Sequence, residues 1–420
     1  MSFGPFALDA SAARLVRDGH GIRLRPQAFR VLEVLVGHSG RVLTYDELMA
    51  HAWRGVVVSH HTVDVTVAEV RRALMEYGGW VRHHSREGYS FDVPRSSEQV
   101  RLGWHFYSLR TRGGFEQALR RFQSAADESP DDFRVYEGQA ACYMMLAAYG
   151  IQPGRDLYPA FAGALRRAER LVGTTPELRC TYGQGLHMFE RRLEEAESEF
   201  AQSLRDRPTL ALAHIGMTTL YATMGRLDAA LESVERARRI DPLLPVLPAA
   251  EVAVRVWRRE FDAGAALGAR AVALQPYVLL GRVFYAEALE YCGRAEEALT
   301  QFRFTATLFG DVPWLRALEG GCLARMGRGR EAQAILDQLD ARRDTDYVDS
   351  YAMAVCREAL GDSEGVFAEL DRAVDENCVS LYAIDVDPRA DSFRADRRWA
   401  RLRSRLHAPR LSAVSAPVKR

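Results

Sequence analysis

The residue types able to do chemistry gather in one short stretch of this 420-residue chain, "VSHHTVDVTVAEVRRALMEYGG" (58–79). Val63, Val67, Val70 and Leu74 recur at helical spacing, so one face of a helix is buried. The other face carries His60, His61, Thr62, Thr66, Glu69, Arg71 and Arg72. Hydroxyl, imidazole and guanidinium groups in that pattern suit phosphate oxygens and base edges. The helix's free N-terminal turn adds backbone N–H groups for an anion. A second histidine pair, His83/His84, follows in an extended segment. The four rings are read as proton-bearing donors on an anion-facing surface rather than as metal ligands, which predicts stronger binding at lower pH.

Other chemistries find no support in the sequence. It contains no G-x-x-x-x-G-K-[ST], HExxH or GxSxG pattern, and Lys419 is its only lysine. No catalytic residue, metal or cofactor is expected, and the chain does not read as an enzyme. The six cysteines form no CxxC pair and have no histidine at metal spacing; they read as small apolar residues of a reducing compartment. Residues 1–20 lack an apolar core after basic residues. The longest apolar stretch, "LLPVLPAAEVAVRVW" (243–257), is too short and too interrupted to span a bilayer. A cytoplasmic protein without a membrane span is therefore expected.

The formal net charge is zero, but it is unevenly spread. Residues 1–95 carry 12 arginines against 10 acids, with seven of the eleven histidines. Residues 96–388 carry 34 arginines against 44 acids, and residues 389–420 carry 10 basic residues against 2 acids.

The elements that must position the 58–79 helix come from the first 95 residues. "FGPFALD", "ARLVRDG" and "GIRLRP" alternate like short antiparallel strands, with a turn at Asp18-Gly19. Pro26 opens a helix over 26–40 that buries Phe29, Leu32, Leu35 and Val36. "RVLT" (41–44) reads as a brief extended link. Thr44 and Glu47 make a capping box for a helix over 45–53, and Ser59 caps the next. "WVRHHS" and "GYSFDV" are two strands joined by "REG" (86–88). Two helices, a tight connection and a hairpin form a helix-turn-helix with a wing, which places the exposed helix face against DNA.

On "RVLTYDELMAHAWRG", "TVDVTVAEVRRAL" and the closing "GYSF", residues 3–94 resemble the OmpR/PhoB-type winged helix. The resemblance implies that the third helix enters the major groove and the wing reaches the minor groove. It implies base-reading roles near Asp64, Val65, Ala68 and Glu69, and phosphate contacts from Trp53, His61, Thr62, Thr66, Arg71 and Tyr89. Arg54 and Arg72 join this DNA-binding set. Glu69 stands where many members carry a basic residue: it either accepts from cytosine N4 or pairs with Arg72. Ser85 stands where the wing arginine is usual, with Arg86 one position later as its substitute.

Beyond residue 98 the sequence repeats. Ala196, Ala230, Gly264, Ala298, Ala332 and Val366 are each 34 residues apart, as are Pro208, Pro242 and Pro276. Gly225, Gly293, Gly327 and Gly361 form a third column, broken only at residue 259. The unit "AHIGMTTLYATMGRLDAALESVERARRIDP" (213–242) reads as two amphipathic helices turning at Gly225, and resembles the tetratricopeptide repeat. A ten-residue excess between Ala118 and Ala196 is placed in the loop "YGIQPGRDLY" (149–158). Cys322 and Cys356, also 34 apart, fill one packing slot on successive first helices.

The expected architecture is mainly α: a winged helix-turn-helix over 1–95, a short linker, and an α-solenoid of about eight hairpins over 99–386. A capping helix follows over 387–406, covering the last repeat with Trp399, Leu402 and Leu406 while its arginines face water, and then a disordered tail over 407–420. The combination is similar to HilA-like regulators, and to CadC-like ones without their membrane span. With nothing before Met1, no receiver domain is expected. The predicted function is sequence-specific regulation of transcription, activation in particular, through double-stranded promoter DNA. The resemblance implies two copies on direct repeats, a homodimer on DNA. A partner protein or small-molecule effector would sit in the repeat groove, and the loop 54–58 would touch RNA polymerase. The alternative is an interaction scaffold whose winged helix binds protein.

Overall fold

The computed structural model describes residues 2–3, 6–9, 12–17, 20–53, 56, 58–85, 87–92, 98–310 and 312–406. The expected Asp18-Gly19 turn, most of the 94–99 linker and the 407–420 tail lie outside them. The chain divides into two compact units, residues 1–97 and residues 98–420.

In the first unit, strands β1 (Ser2–Phe3), β2 (Phe6–Asp9), β3 (Arg14–Arg17) and β4 (His20–Ile22) form an antiparallel meander. Helix α1 (Pro26–Gly37), strand β5 (Val42–Thr44), helix α2 (Tyr45–Ala52) and helix α3 (His60–Ala73) follow, then a 3-10 turn over Met75–Trp80 and strands β6 (Val81–His84) and β7 (Gly88–Phe91). The sequence signals for the helix starts act as expected. Pro26 occupies the first turn of α1. Thr44 Oγ1 accepts from Glu47 N at 3.2 Å while Glu47 Oε2 accepts from Thr44 N at 2.9 Å, and Ser59 Oγ accepts from Thr62 N at 3.3 Å. The stretch read as a link, 41–44, is more than that: Val42–Thr44 pairs with β7, giving a three-stranded sheet ordered β5-β7-β6. Only glycine fits at the start of β7, because a Cβ on Gly88 would lie 2.0 Å from Leu43 O. Phe3, Phe6, Trp80 and Phe91 meet edge-on or stacked at centroid distances of 5.3–6.4 Å, welding the meander to the wing. Val63, Val67, Val70 and Leu74 are buried in the same core.

The second unit is an α-solenoid of tetratricopeptide-type hairpins. Its successive pairs are α4 (Glu98–Ser108) with α5 (Arg112–Glu128), α6 (Phe133–Ala148) with α7 (Gly154–Val172), and α8 (Pro176–Gly185) with α9 (Leu193–Asp206). Then come α10 (Ala211–Thr223) with α11 (Leu227–Ile240), α12 (Leu247–Trp257) with α13 (Phe261–Leu274), and α14 (Leu279–Tyr291) with α15 (Ala295–Phe309). The last are α16 (Pro313–Arg325) with α17 (Gly329–Arg342), and α18 (Ser350–Ala359) with α19 (Ser363–Asp375). Ala196, Ala230, Ala298 and Ala332 are fully buried at helix crossings. Phe200 of α9 lies over Gly183 of α8 and Gly216 of α10, where a Cβ would come within 2.3–3.0 Å of its ring. Each second helix thus bridges the first helices on either side of it, which is how neighbours bury a face that one hairpin cannot. Cys322 and Cys356 lie on α16 and α18, both buried and unoxidised.

The turn column is conformational rather than compositional. Gly225, Gly293, Gly327 and Gly361 have φ of 72–80°, and Arg259, which breaks the glycine series, has φ 65°. Arg191, one period before Gly225, has φ 55°. A left-handed arginine costs about 1–2 kcal/mol, and both side chains are anchored far along the chain. Arg191 Nη2 donates to Cys378 O at 3.0 Å, and Arg259 Nη1 donates to Val386 O at 2.8 Å.

Those carbonyls belong to a strap, residues 376–391, that crosses the face formed by the first helices. Asn377 Nδ2 donates to Phe189 O at 3.1 Å. The half-buried Tyr382 ring meets His187 at 5.6 Å and Trp257 at 6.0 Å. Asp387 accepts from Tyr351 of α18 at 2.7 Å, and Arg389 faces Glu287 of α14 at 3.4 Å. Two expectations are corrected here. The 149–158 excess is not all loop, since α7 begins at Gly154. The span 387–406 is not one helix: a 3-10 turn (Pro388–Ala390) leads into α20 (Asp391–Ala395) and α21 (Trp399–Leu406), because Asp387 and Arg389 are held in the interior and Asp396 caps the next turn. Leu402 and Leu406 are buried while Trp399 is half-buried. Arg398, Arg401 and Arg405 do not simply face water but pair with Glu364, Asp371 and Asp375.

Candidate nucleic-acid interface

Helix α3 is held by its valine face, and this leaves His60, His61, Thr62, Val65, Ala68 and Arg72 exposed on the other side. Val65 is 44% exposed, an apolar side chain on this otherwise largely polar face. Thr66, placed on this face by spacing, is buried, and its hydroxyl donates to Thr62 O at 2.8 Å. Trp53 and Tyr89 are likewise buried. Arg54 and Arg86, and most of the 54–58 loop, lie outside the described residues.

Asp64 sits at the junction of the site. Its Oδ1 accepts from the hydroxyls of Tyr45 on α2 at 2.8 Å and Tyr89 on β7 at 2.7 Å. Tyr45 also lies 3.2 Å from His83 Nε2 on β6 and stacks on His60 at 4.1 Å. Partial burial alone would raise the Asp64 pKa, but the two hydroxyls and His83 outweigh it and hold the carboxyl below the usual range. One carboxylate therefore ties α2, α3 and both wing strands together. Asp64→Ala is expected to remove about 1.5–3 kcal/mol from local wing stability, which corresponds to roughly ten- to hundredfold faster amide exchange over residues 81–91. Unchanged exchange there would show that the wing is held by its core packing alone.

Arg71 also turns inward. Its Nε and Nη2 donate to Val81 O at 3.0 and 2.8 Å, and its guanidinium lies 5.7 Å over the Tyr89 ring. Glu69 pairs with neither a free neighbour nor Arg72: both of its oxygens accept from Arg25, one from the backbone N–H at 3.1 Å and one from the side chain. That side-chain hydrogen bond holds the Glu69 carboxyl below its usual pKa. Of the histidine pairs, His60, His61 and His83 are exposed, whereas His84 Nε2 is 2.9 Å from Ser90 Oγ. Among the described residues no group of three or more His, Cys, Asp or Glu side chains is placed to hold a metal ion. Tyr45, Arg23 and Arg25 belong to the site and were not singled out in the sequence. The hydrogen-bond partners of Tyr45 and Arg25, namely Asp64, His83 and Glu69, lie 19, 38 and 44 residues away, beyond any local pattern.

The two units define a class: a winged helix-turn-helix of the OmpR/PhoB type followed by tetratricopeptide-type helical pairs. Residues 19–91 match the family described as transcriptional regulatory protein, C terminal. Over 95 residues the chain is 27% identical to the transcriptional activator CadC of Escherichia coli, covering 22% of this chain and 19% of that protein. It is 38% identical over 72 residues to the phosphate regulon transcriptional regulatory protein PhoB of Rhizobium meliloti, covering 17% of this chain and 32% of that one. The chain thus matches a third or less of the length of these curated relatives. An IFIT1 monomeric mutant solved with m7Gppp-AAAA shares the fold, with a TM-score of 0.52 at 13% identity over 83% of this chain and 84% of that one. Among the described residues no helix is long and apolar enough to cross a membrane.

Proposed function

We propose that this chain is a sequence-specific DNA-binding regulator of transcription, an activator, working in the cytoplasm on double-stranded promoter DNA. The observation that carries the reading is the exposed N-terminal half of α3, with His61, Thr62, Val65 and Ala68 outward and the wing clamped beside it through Asp64. A helix so presented fits the major groove, and its first-turn N–H groups suit a phosphate. The match of residues 19–91 to a transcriptional regulatory family supports it. The helical unit serves as the partner-binding body, for RNA polymerase, an effector or a second copy on adjacent half-sites. Its first-helix face already holds residues 376–391, so partners engage its edges and outer helices.

The test is capture of genomic fragments by the full chain, with sequencing of what is retained, beside His61→Ala/Thr62→Ala/Arg72→Ala. A discrete enriched motif that the triple variant loses by tenfold or more is expected, since each base or phosphate contact contributes about 1–3 kcal/mol. The nearly balanced charge of the head, 12 arginines against 10 acids, favours one second reading, a winged helix that binds protein. Absence of salt-dependent DNA affinity with folded protein would select it.

A further inference from the structure

Beside the C-terminal half of α3 lies an open cleft of about 460 Å³ lined by Arg23, Leu24, Arg25, Glu69, Arg72 and Ala73. Three guanidiniums surround one carboxylate there, leaving a net charge of +2. Glu69 follows Val65 and Ala68 and precedes Arg72 on the outward side of α3, so a bare carboxylate at this point would repel a polyanion lying along the helix. It is not bare. Arg25 delivers its backbone N–H to one oxygen and its side chain to the other. The arginine side chain is 67% exposed and the carboxylate 18%, so the acid lies beneath and the cation outside. Arg72 extends the positive surface one turn on, with its Nε donating to Ala68 O at 3.3 Å. Arg23 is exposed at the other rim.

We propose that Arg25, flanked by Arg23 and Arg72, binds phosphodiester groups of the DNA backbone where the second half of α3 leaves the groove, and that Glu69 is a positioning residue for Arg25 rather than a reader of bases. This rests on the DNA-binding reading and extends it to residues outside the helix-turn-helix. The cation is supplied from the segment between β4 and α1 and is held in place by the acid on α3. Guanidinium is suited to the task because it grips a carboxylate on one edge and presents N–H groups to a phosphate on another.

The test uses the full chain and a labelled mixed-sequence duplex, with binding followed by fluorescence anisotropy from about 50 to 200 mM salt. Arg25→Ala is expected to weaken binding severalfold and to flatten the dependence of log K on log salt by about 0.9, the signature of one lost phosphate contact. Arg25→Lys keeps a point cation and is expected to restore most of that slope. Glu69→Gln in the Arg25→Ala background is expected to recover affinity without the slope, because it removes the exposed acid but supplies no cation. Circular dichroism melting confirms that each variant is folded. Equal slopes for wild type and Arg25→Ala, or a Glu69→Gln effect confined to one base pair and indifferent to Arg25, would overturn the assignment while leaving the DNA reading intact. Wild-type chain without salt-dependent affinity for any duplex would overturn both.

Discussion

Arg389→Met is expected to lower the unfolding free energy of the helical unit by about 3–5 kcal/mol, the range for removing one member of a buried charged group. Arg389 Nε lies 3.1 Å from both oxygens of Asp387, and its Nη2 lies 2.8 Å from Oδ2. Burial would raise the Asp387 pKa, but the guanidinium holds it below the usual carboxylate range. Glu287, 3.4 Å from Arg389 Nε, has no hydrogen bond to either oxygen, and burial pushes its pKa up to about 8. Without the arginine side chain, two acids stay buried, served only by the Tyr351 hydroxyl and, at 2.9 Å, the backbone N–H of residue 389, both on Asp387. The loss is concentrated in the strap because Asp387 and Arg389 are its deepest charges, contacting α14 and α18 at once. Denaturant titration followed by circular dichroism measures it. Adding Glu287→Gln and Asp387→Asn to Arg389→Met is expected to return a large part of the stability, since the uncompensated charges are gone. A change below about 1 kcal/mol for Arg389→Met would mean that these charges are hydrated and the strap is held by Leu381, Tyr382 and the hydrogen bonds at Asn377, Cys378 and Val386.

Acid is expected to act on the same unit through one imidazole. His187 is 1% exposed, 2.9 Å from Thr223 Oγ1, and packed against Tyr382 of the strap. Burial, reinforced by Arg191, pushes its pKa down to about 3, so the folded chain keeps the ring neutral. In the unfolded chain the ring titrates near 6.5. Below that value the unfolded state takes up a proton that the folded state refuses. The folded state therefore loses stability as pH falls from about 6.5 towards 3, by about 2 kcal/mol between pH 7 and pH 5. His214, whose pKa burial also lowers, adds in the same direction. Unfolding free energies at pH 7 and pH 5, compared with those of His187→Asn, isolate the effect, because other titrating groups are common to both. The same pH dependence in both proteins would show that the ring is solvated and titrates normally.

Much of this molecule was legible in local sequence, for an identifiable reason. A capping box, a Ser N-cap and a proline at a first helical turn each act within four residues, and all three lie where the sequence puts them. The valine stripe of α3 is a one-dimensional pattern that becomes a buried face directly. The 34-residue period survives because each hairpin must present the same small residues to its neighbour. Even where the glycine column fails at 259, Arg259 adopts the same left-handed turn, since pair geometry imposes it on whichever residue is there.

The functional surface depended on contacts that no period records. The resemblance to the OmpR/PhoB-type winged helix makes Asp64 and Glu69 of α3 candidate base readers. Tertiary structure gives Asp64 to Tyr45 and Tyr89, and Glu69 to Arg25, across separations of 19, 25 and 44 residues. The strap was invisible for the same reason. Its residues resemble a capping segment locally, but Cys378 finds Arg191 and Val386 finds Arg259 from 187 and 127 residues away. Sequence by itself determined which helices exist and which of their faces are apolar, because those follow from spacing along one element. Only the folded chain decided which polar groups are left for a ligand, because a charged side chain takes whatever partner packing brings within reach, and that partner comes from elsewhere in the chain.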